Sequence, residues 1–271
     1  MRRSPSFEGI APAPTTAGPA NAGPSPAAWR ILSIAAFALA WEIAGRVPIN
    51  LAFPTFLETL AAFGRMLADG SMGRAYLSTL QPLLIGLVVS AVLGVALGVA
   101  MGLSRLAEWL AAPLLIVLQA APMAALIPLV TFVYGIGLLA KSLAVIMLAL
   151  PVIALNGYKA VRNVSPSLLD MCRSFQGTRA QQVLKVVLPD ASPVIFAGLR
   201  LGVAAGFIGV VLAELLITPT GIGDLITYHR SVADYAEMYA AVVSIVLLSA
   251  LTLAALQAVE LRLFRPERRG H

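Results

Sequence analysis

The sequence predicts an all-α membrane bundle of about six transmembrane helices, and three observations carry that prediction. First, 59% of the 271 residues are hydrophobic and only 12% are charged, with a mean hydropathy of +0.88. Soluble domains carry roughly 25% charge. Second, apolar runs of about the 20 residues needed to cross a hydrocarbon core recur along the chain. Third, the Lys and Arg residues fall unevenly into the breaks between those runs, as membrane topology demands.

In chain order, residues 1–28 are rich in Pro, Ala and Gly with no apolar period, and are expected to form a disordered tail. MRR leads into polar residues and not into an apolar core, so this tail is not expected to be a signal peptide. The transmembrane domain is placed at 29–265, followed by a basic tail, 266–271. Six spans are read at 29–45, 80–103, 110–134, 139–158, 194–217 and 238–260. The first is short and carries Glu42; the third holds Pro113, Pro122 and Pro128 and should kink or break. Segment 51–75 mixes charges with apolar residues at helical spacing and reads as one interfacial amphipathic helix. With the N-terminus inside, inner segments hold fourteen basic residues and outer ones five (Arg46, Arg65, Arg74, Lys141 and Arg230), together the nineteen of the chain. Both termini and the 159–193 segment are therefore expected in the cytoplasm. The net charge of +6 follows from that bias and needs no nucleic acid.

Small residues recur every fourth position in the second span (Gly86, Ser90, Gly94, Gly98, Gly102) and the fifth (Gly198, Gly202, Gly206; Ala205, Gly209, Ala213). This spacing lets helix backbones approach closely. It suits a static seam or a pair of helices that slide, and the pattern leaves both open.

The polar stretch DMCRSFQGTRAQQVLKVVLPDASP from Asp170 interrupts two greasy runs. Ser165-Pro166 offers an N-cap with proline at the first helical position. Gly177 should end that helix, and Thr178 with Gln181 has capping-box spacing for a second short helix through Val187. Leu188-Pro189 should stop that one, and Ser192-Pro193 should launch the fifth span. The segment is thus expected to be two rigid surface helices.

These residues resemble the EAA loop of permease subunits of ATP-binding-cassette importers. Asp170-Met171-Cys172 stands at EAA, and Val186 with Leu188-Pro189 closes the pattern. Gln176 occupies the position where that pattern has glycine, with Gly177 one place later. FPTFLETLAAF, PMAALIPLVTFVYGIGLLAKSL and GLRLGVAAGFIGVVLAELL followed by GIGDLI resemble, in order, segments of the branch that includes nitrate, sulfonate and taurine importers. The resemblance implies a type I importer (MetI-like) permease fold and a non-catalytic subunit of the bacterial inner membrane that pairs with a second copy. It implies two cytoplasmic ATPase subunits, which bind ATP and Mg, and an extracytoplasmic solute-binding protein. ATPase contact is then expected at Ser165, Asp170, Met171, Cys172, Arg173, Gln176, Gly177, Leu188 and Pro189.

Other chemistry is sparse. GIGLLAKS (135–142) nearly matches a phosphate loop but has Ala140 where the last glycine belongs, lies outside, and follows no strand. No cofactor or metal is expected on this chain: His229 and the C-terminal His271 stand too far apart. Gln119, Met123, Thr131, Tyr134, Asn156 and the intramembrane acid Glu214 are candidate lining groups for a translocation path; packing and interhelical hydrogen bonding are the alternative for each. An ion-coupled transporter acting alone would show inverted repeats, and a membrane enzyme would need clustered His, Asp or Glu. Neither pattern is present. Relatives of this shape carry sulfonates, nitrate, taurine, vitamins and their pyrimidine precursors, or aromatic carboxylates, so the substrate stays open.

Overall fold

In the computed structural model, residues 26–47, 52–217 and 219–264 are described, and these are helical almost throughout. Most of the expected N-terminal tail and the basic C-terminal tail, with His271, lie outside the described residues. Helix α1 (Pro26–Arg46) is followed by α2 (Phe56–Ala68) and α3 (Ser71–Leu103). The expected single amphipathic helix over 51–75 is therefore divided. Gly70 takes a left-handed φ of 74°, and the Ser71 N–H turns back to Asp69 Oδ1 at 2.8 Å. Residues 71–79 consequently join the second span, which becomes a helix of 33 residues. At the other end of α2, Thr55 and Glu58 close a capping box, and Glu42 Oε2 accepts the Leu57 N–H at 3.1 Å.

The proline-rich third span is two helices, α4 (Arg105–Ala120) and α5 (Met123–Tyr134), bent by 104° at Ala121–Pro122. Pro122 has no N–H to continue the ladder, and Ala121 ahead of it is extended (ψ 141°). At about 1.5 Å per residue, α5 reaches only about 18 Å. Among the described residues there are thus five helices long and apolar enough to cross a membrane, or six with the bent pair as one span.

Helix α6 (Leu138–Arg162) is the centre of the bundle, packed between α3 on one side and α9 (Leu188–Leu216) on the other. Both neighbours present their small residues to it. A Cβ on Gly94 would come within 2.9 Å of Ile153, and one on Gly202 within 2.3 Å of the same side chain. Ile153 therefore fills the space that two glycines leave, from opposite sides. Such contact supplies dispersion where lipid offers no hydrophobic drive. Helices α10 (Ile222–Ser231) and α11 (Tyr235–Phe264) complete the fold and close a second apolar cluster with α2 and α3 through Ala62, Met66, Met72, Ile222 and Ala240. Helix α1 stands apart with most of its side chains exposed. It is tied down by Trp41, whose Nε1–H donates to Pro54 O at 3.1 Å and whose ring meets Phe53, Phe56 and Tyr239.

Candidate functional site

The polar segment folds onto the end of the bundle where α3 stops and α6 ends. Helix α7 (Pro166–Ser174) begins at Ser165 with proline at the first position. The Ser165 hydroxyl pairs with Ser167 Oγ at 2.8 Å and makes no bond to the helix amides, so Pro166 and not the side chain sets the start. At the other end the Gly177 N–H donates to Cys172 O (3.0 Å) and the Gln176 N–H to Arg173 O (2.9 Å). This crossed pair is a Schellman stop, whose left-handed position falls on Gln176 at φ 55°. The family-like pattern has glycine at that place, and the structure shows why: a residue with a Cβ pays strain in that conformation. Gly177 is needed for a different reason, since a Cβ there would lie 2.6 Å from Cys172 Sγ and 2.9 Å from Cys172 O.

Thr178 and Gln181 form the expected capping box: Thr178 Oγ1 accepts the Gln181 N–H at 3.3 Å, and Gln181 Oε1 accepts the Thr178 N–H at 2.9 Å. The helix they start does not stop at Leu188-Pro189, which corrects the reading above. Helix α8 (Arg179–Gln182) passes through a π-helical turn over Val183–Val187 straight into α9. The Leu188 N–H reaches back five residues to Val183 O, and this wider turn makes room for the Pro189 ring against the preceding carbonyls. Pro193 is likewise inside α9 and launches nothing; the Ser192 hydroxyl donates to Pro189 O at 2.9 Å, the carbonyl that Pro193 leaves without its amide. The result is one helical run, Arg179–Leu216, of 38 residues.

The inner face of the segment is anchored by Val164, Val187 and Ala191 against Ala160 and Val161 of α6. Behind it lies a cavity of about 460 Å³ lined by Leu103, Arg162, Leu169, Arg173 and Val187. The outer face is unusual for a polar stretch. Phe175 is 82% exposed, Leu184 and Met171 also stand free, and the exposed pair Asp170–Arg173 (3.1 Å) lies beside them. Cys172 is half-buried with no disulfide partner. The sequence reading singled out Met171 but passed over Phe175 and Leu184 as anchors, because an apolar residue in a helix is ordinarily assigned to a core.

The candidate path residues separate into two groups. Gln119, Met123, Thr131 and Tyr134 lie on the bent pair: Gln119 and Tyr134 exposed, Met123 half-buried, and Thr131 buried with its hydroxyl on Ile127 O at 3.1 Å. Asn156 of α6 is half-buried, bonded to Val152 O at 2.7 Å and faced by Gly198 of α9. Glu214 lies sixteen positions further along α9, about 24 Å away in depth, and is 2% exposed. It meets Lys141, itself 3% exposed, at 2.9 Å. Lys141 was read as a residue of an outer loop; it is in the first turn of α6 and directed inward. GIGLLAKS therefore builds no phosphate cradle, because its lysine is already engaged.

This fold defines a multi-pass membrane protein with a capped projection at one end that exposes apolar side chains. Residues 93–265 match the family described as binding-protein-dependent transport system inner membrane component. The riboflavin transport system permease protein RibX of Chloroflexus aurantiacus is 35% identical over 187 residues, covering 69% of this chain and 70% of the relative. The putative aliphatic sulfonates transport permease protein SsuC of Escherichia coli is 32% identical over 222 residues, 81% of this chain and 84% of the relative. In fold, the chain resembles an inward-facing MetNI methionine ABC transporter at a TM-score of 0.60 and 21% identity, over 69% of this chain and 93% of that one. The chain belongs to that inner-membrane component family: it is the non-catalytic permease subunit of an ABC importer.

Proposed function

We propose that two copies of this chain form the translocation path of a bacterial inner-membrane importer, with both termini in the cytoplasm. Two cytoplasmic ATPase subunits, holding the ATP and Mg, dock on the 165–188 segment, and an extracytoplasmic binding protein delivers the solute. The observation that carries this reading is Phe175. An aromatic ring 82% exposed on a helix fixed at both ends, within a segment that runs on into a spanning helix, suits a stud in another protein's groove. Closure of the ATPase pair would then rock α9 and its neighbours. The path is assigned to Gln119, Met123, Thr131, Tyr134 and Asn156. The cargo assigned is a small sulfonate-, taurine- or nitrate-like anion, in keeping with the sulfonate permease among the relatives. A vitamin is the second reading, favoured by the 35% identity to a riboflavin permease.

Phe175→Asp tests the docking. Loss of an aromatic anchor costs about 2 kcal/mol or more at an interface, so the ATPase should cease to co-purify while the chain still inserts. Undiminished co-purification and ATP-dependent uptake in that variant would refute the docking role. Uptake by this chain alone in ATP-free proteoliposomes would refute the importer reading as a whole. Uptake assays with taurine, ethanesulfonate and riboflavin separate the two cargo readings.

A further inference from the structure

The Lys141–Glu214 pair sits at the end of α9 opposite the docking segment, inside a closed set of bonds. The Lys141 ammonium donates to Glu214 Oε1, to Thr220 O and to Thr220 Oγ1, each at 2.9 Å, which uses all three of its hydrogens. Glu214 Oε2 accepts the Gly223 N–H at 3.0 Å. The Thr79 hydroxyl of α3 lies 3.0 Å from both carboxylate oxygens and accepts the Ile222 N–H at 2.9 Å. Four pieces of chain thus meet there: α3, α6, α9 and the 219–223 turn that opens α10. The turn is shaped to the carboxylate. A Cβ on Gly221, at φ 98°, would fall 2.1 Å from Glu214 Oε1, and one on Gly223 would fall 2.4 Å from Glu214 Cβ.

A network with every donor used has no hydrogen left for a solute, so it is ill suited to lining a path. Nor does stability account for it, because apolar side chains of similar volume serve a core as well as a buried ion pair does. What it adds is direction. The apolar contacts of Ile222 and Leu225 hold α10 near the bundle but fix no single register, whereas the bonds to the Ile222 and Gly223 amides do. The other end of the same unbroken run, Arg179–Leu216, lies in the docking segment, about 52 Å from Glu214 along the helix.

We propose that Lys141 and Glu214 are positioning residues that join the 219–223 turn to the outer ends of α3, α6 and α9, so that displacement applied at the docking segment emerges as movement of α10 on the outer face. The proposal rests on the ATP-driven reading above. It identifies which outer element answers the ATPase and which side chains make it answer.

The test uses the chain in complex with its ATPase in nanodiscs, with Cys172 kept and a ketone-reactive nitroxide on p-acetylphenylalanine introduced at Tyr228, an exposed position of α10. The pair-intact protein should show a shift in label mobility or label–label distance between nucleotide-free and ATP–vanadate states. In Lys141→Met/Glu214→Leu, insertion, thermal midpoint and ATPase co-purification should hold while that shift is lost. Gly221→Ala, which leaves both charges in place but pushes the turn off the carboxylate, should lose it too. This second variant decides the matter if the double variant fails to insert. A full shift in either variant, or no shift in the pair-intact complex while it hydrolyses ATP, overturns the joint. Failure of the ATPase to co-purify with the pair-intact chain overturns the docking reading beneath it.

Discussion

The α3–α6 seam makes an asymmetric prediction. Gly98 and Gly157 face each other across it, yet they are not equivalent. A Cβ on Gly98 would lie 2.6 Å from Ala154 O, 3.0 Å from Gly157 Cα and 3.0 Å from Tyr158 N, all backbone atoms of α6. A Cβ on Gly157 would meet only Gly98 Cα at 3.5 Å and Gly98 C at 3.9 Å, which is ordinary contact. Gly98→Ala therefore has to separate two helices, and overpacking of this kind costs about 1–3 kcal/mol. No side chain can rotate away to lessen it, so the upper half of that range is expected. Gly157→Ala meets no such obstacle and gains up to about 1 kcal/mol of helix propensity. The two alanine variants should differ by about 2 kcal/mol or more, with Gly98→Ala the weaker. Unfolding of the purified chain in mixed micelles, followed by circular dichroism against SDS fraction, reads the difference directly. Equal stabilities would refute the reasoning, because they would mean the seam is not held in the register described. That outcome would favour the sliding seam over the static one, an alternative the small-residue spacing left open.

Further predictions concern the 165–188 segment and the turns at the opposite end of the bundle. Gln176→Gly relieves the left-handed strain that costs an L-residue about 1–2 kcal/mol, so the amides at positions 176 and 177 should exchange more slowly; unchanged or faster exchange would show that Gln176 is unstrained. Hydrogen bonds from the Ser71 side chain and N–H hold the Asp69 carboxyl below its ordinary value. A depressed acid contributes stability above its unfolded pKa and loses it as pH falls through the folded one. Asp69→Asn should accordingly lower the thermal midpoint at neutral pH, with the deficit shrinking in acid. Asp234 is the opposite case: Glu237 beside it, and then burial, raise its pKa. Its stability contribution is present below the unfolded value and lost as pH rises through the raised one, so Asp234→Asn should raise the midpoint at neutral pH and match the parent in acid. A midpoint difference of the same sign for both variants would refute this assignment.

Much of the bundle was legible because a bilayer restricts the choices. Apolar length located the spans, and prolines at 113, 122 and 128 announced a break that the structure places at Pro122. The caps at Pro166 and at Thr178–Gln181 were readable for a similar reason, since each is a local rule between residues a few positions apart. Asp69-Gly70 was missed because its signal is a single left-handed glycine inside an otherwise periodic run. Lys141 was missed because a lysine between greasy segments is normally assigned to water. Only the folded chain brings Glu214, 73 positions later, to within 2.9 Å of it. The hint was present in GIGDLI, where two glycines closely follow an intramembrane acid, but nothing local says that they wrap it.

The misread prolines change how the polar segment is joined to the bundle. Treated as helix stops, Pro189 and Pro193 would leave a flexible link between the cytoplasmic helices and the fifth span, and a push at Phe175 would dissipate there. The π-helical turn at Val183–Val187 and the Ser192 hydroxyl remove both interruptions by local means, one widening the backbone and the other supplying a missing donor. The helix that begins at the Thr178 cap is then the same helix that carries Gly198 against Asn156, Gly202 against Ile153 and, at its far end, Glu214. A glycine-poor hinge would let α6 and α9 move apart under load. A stripe of close backbone contacts instead obliges α9 to carry α6 with it. The rigid unit is therefore larger than the polar segment itself, and includes the helices packed on α6.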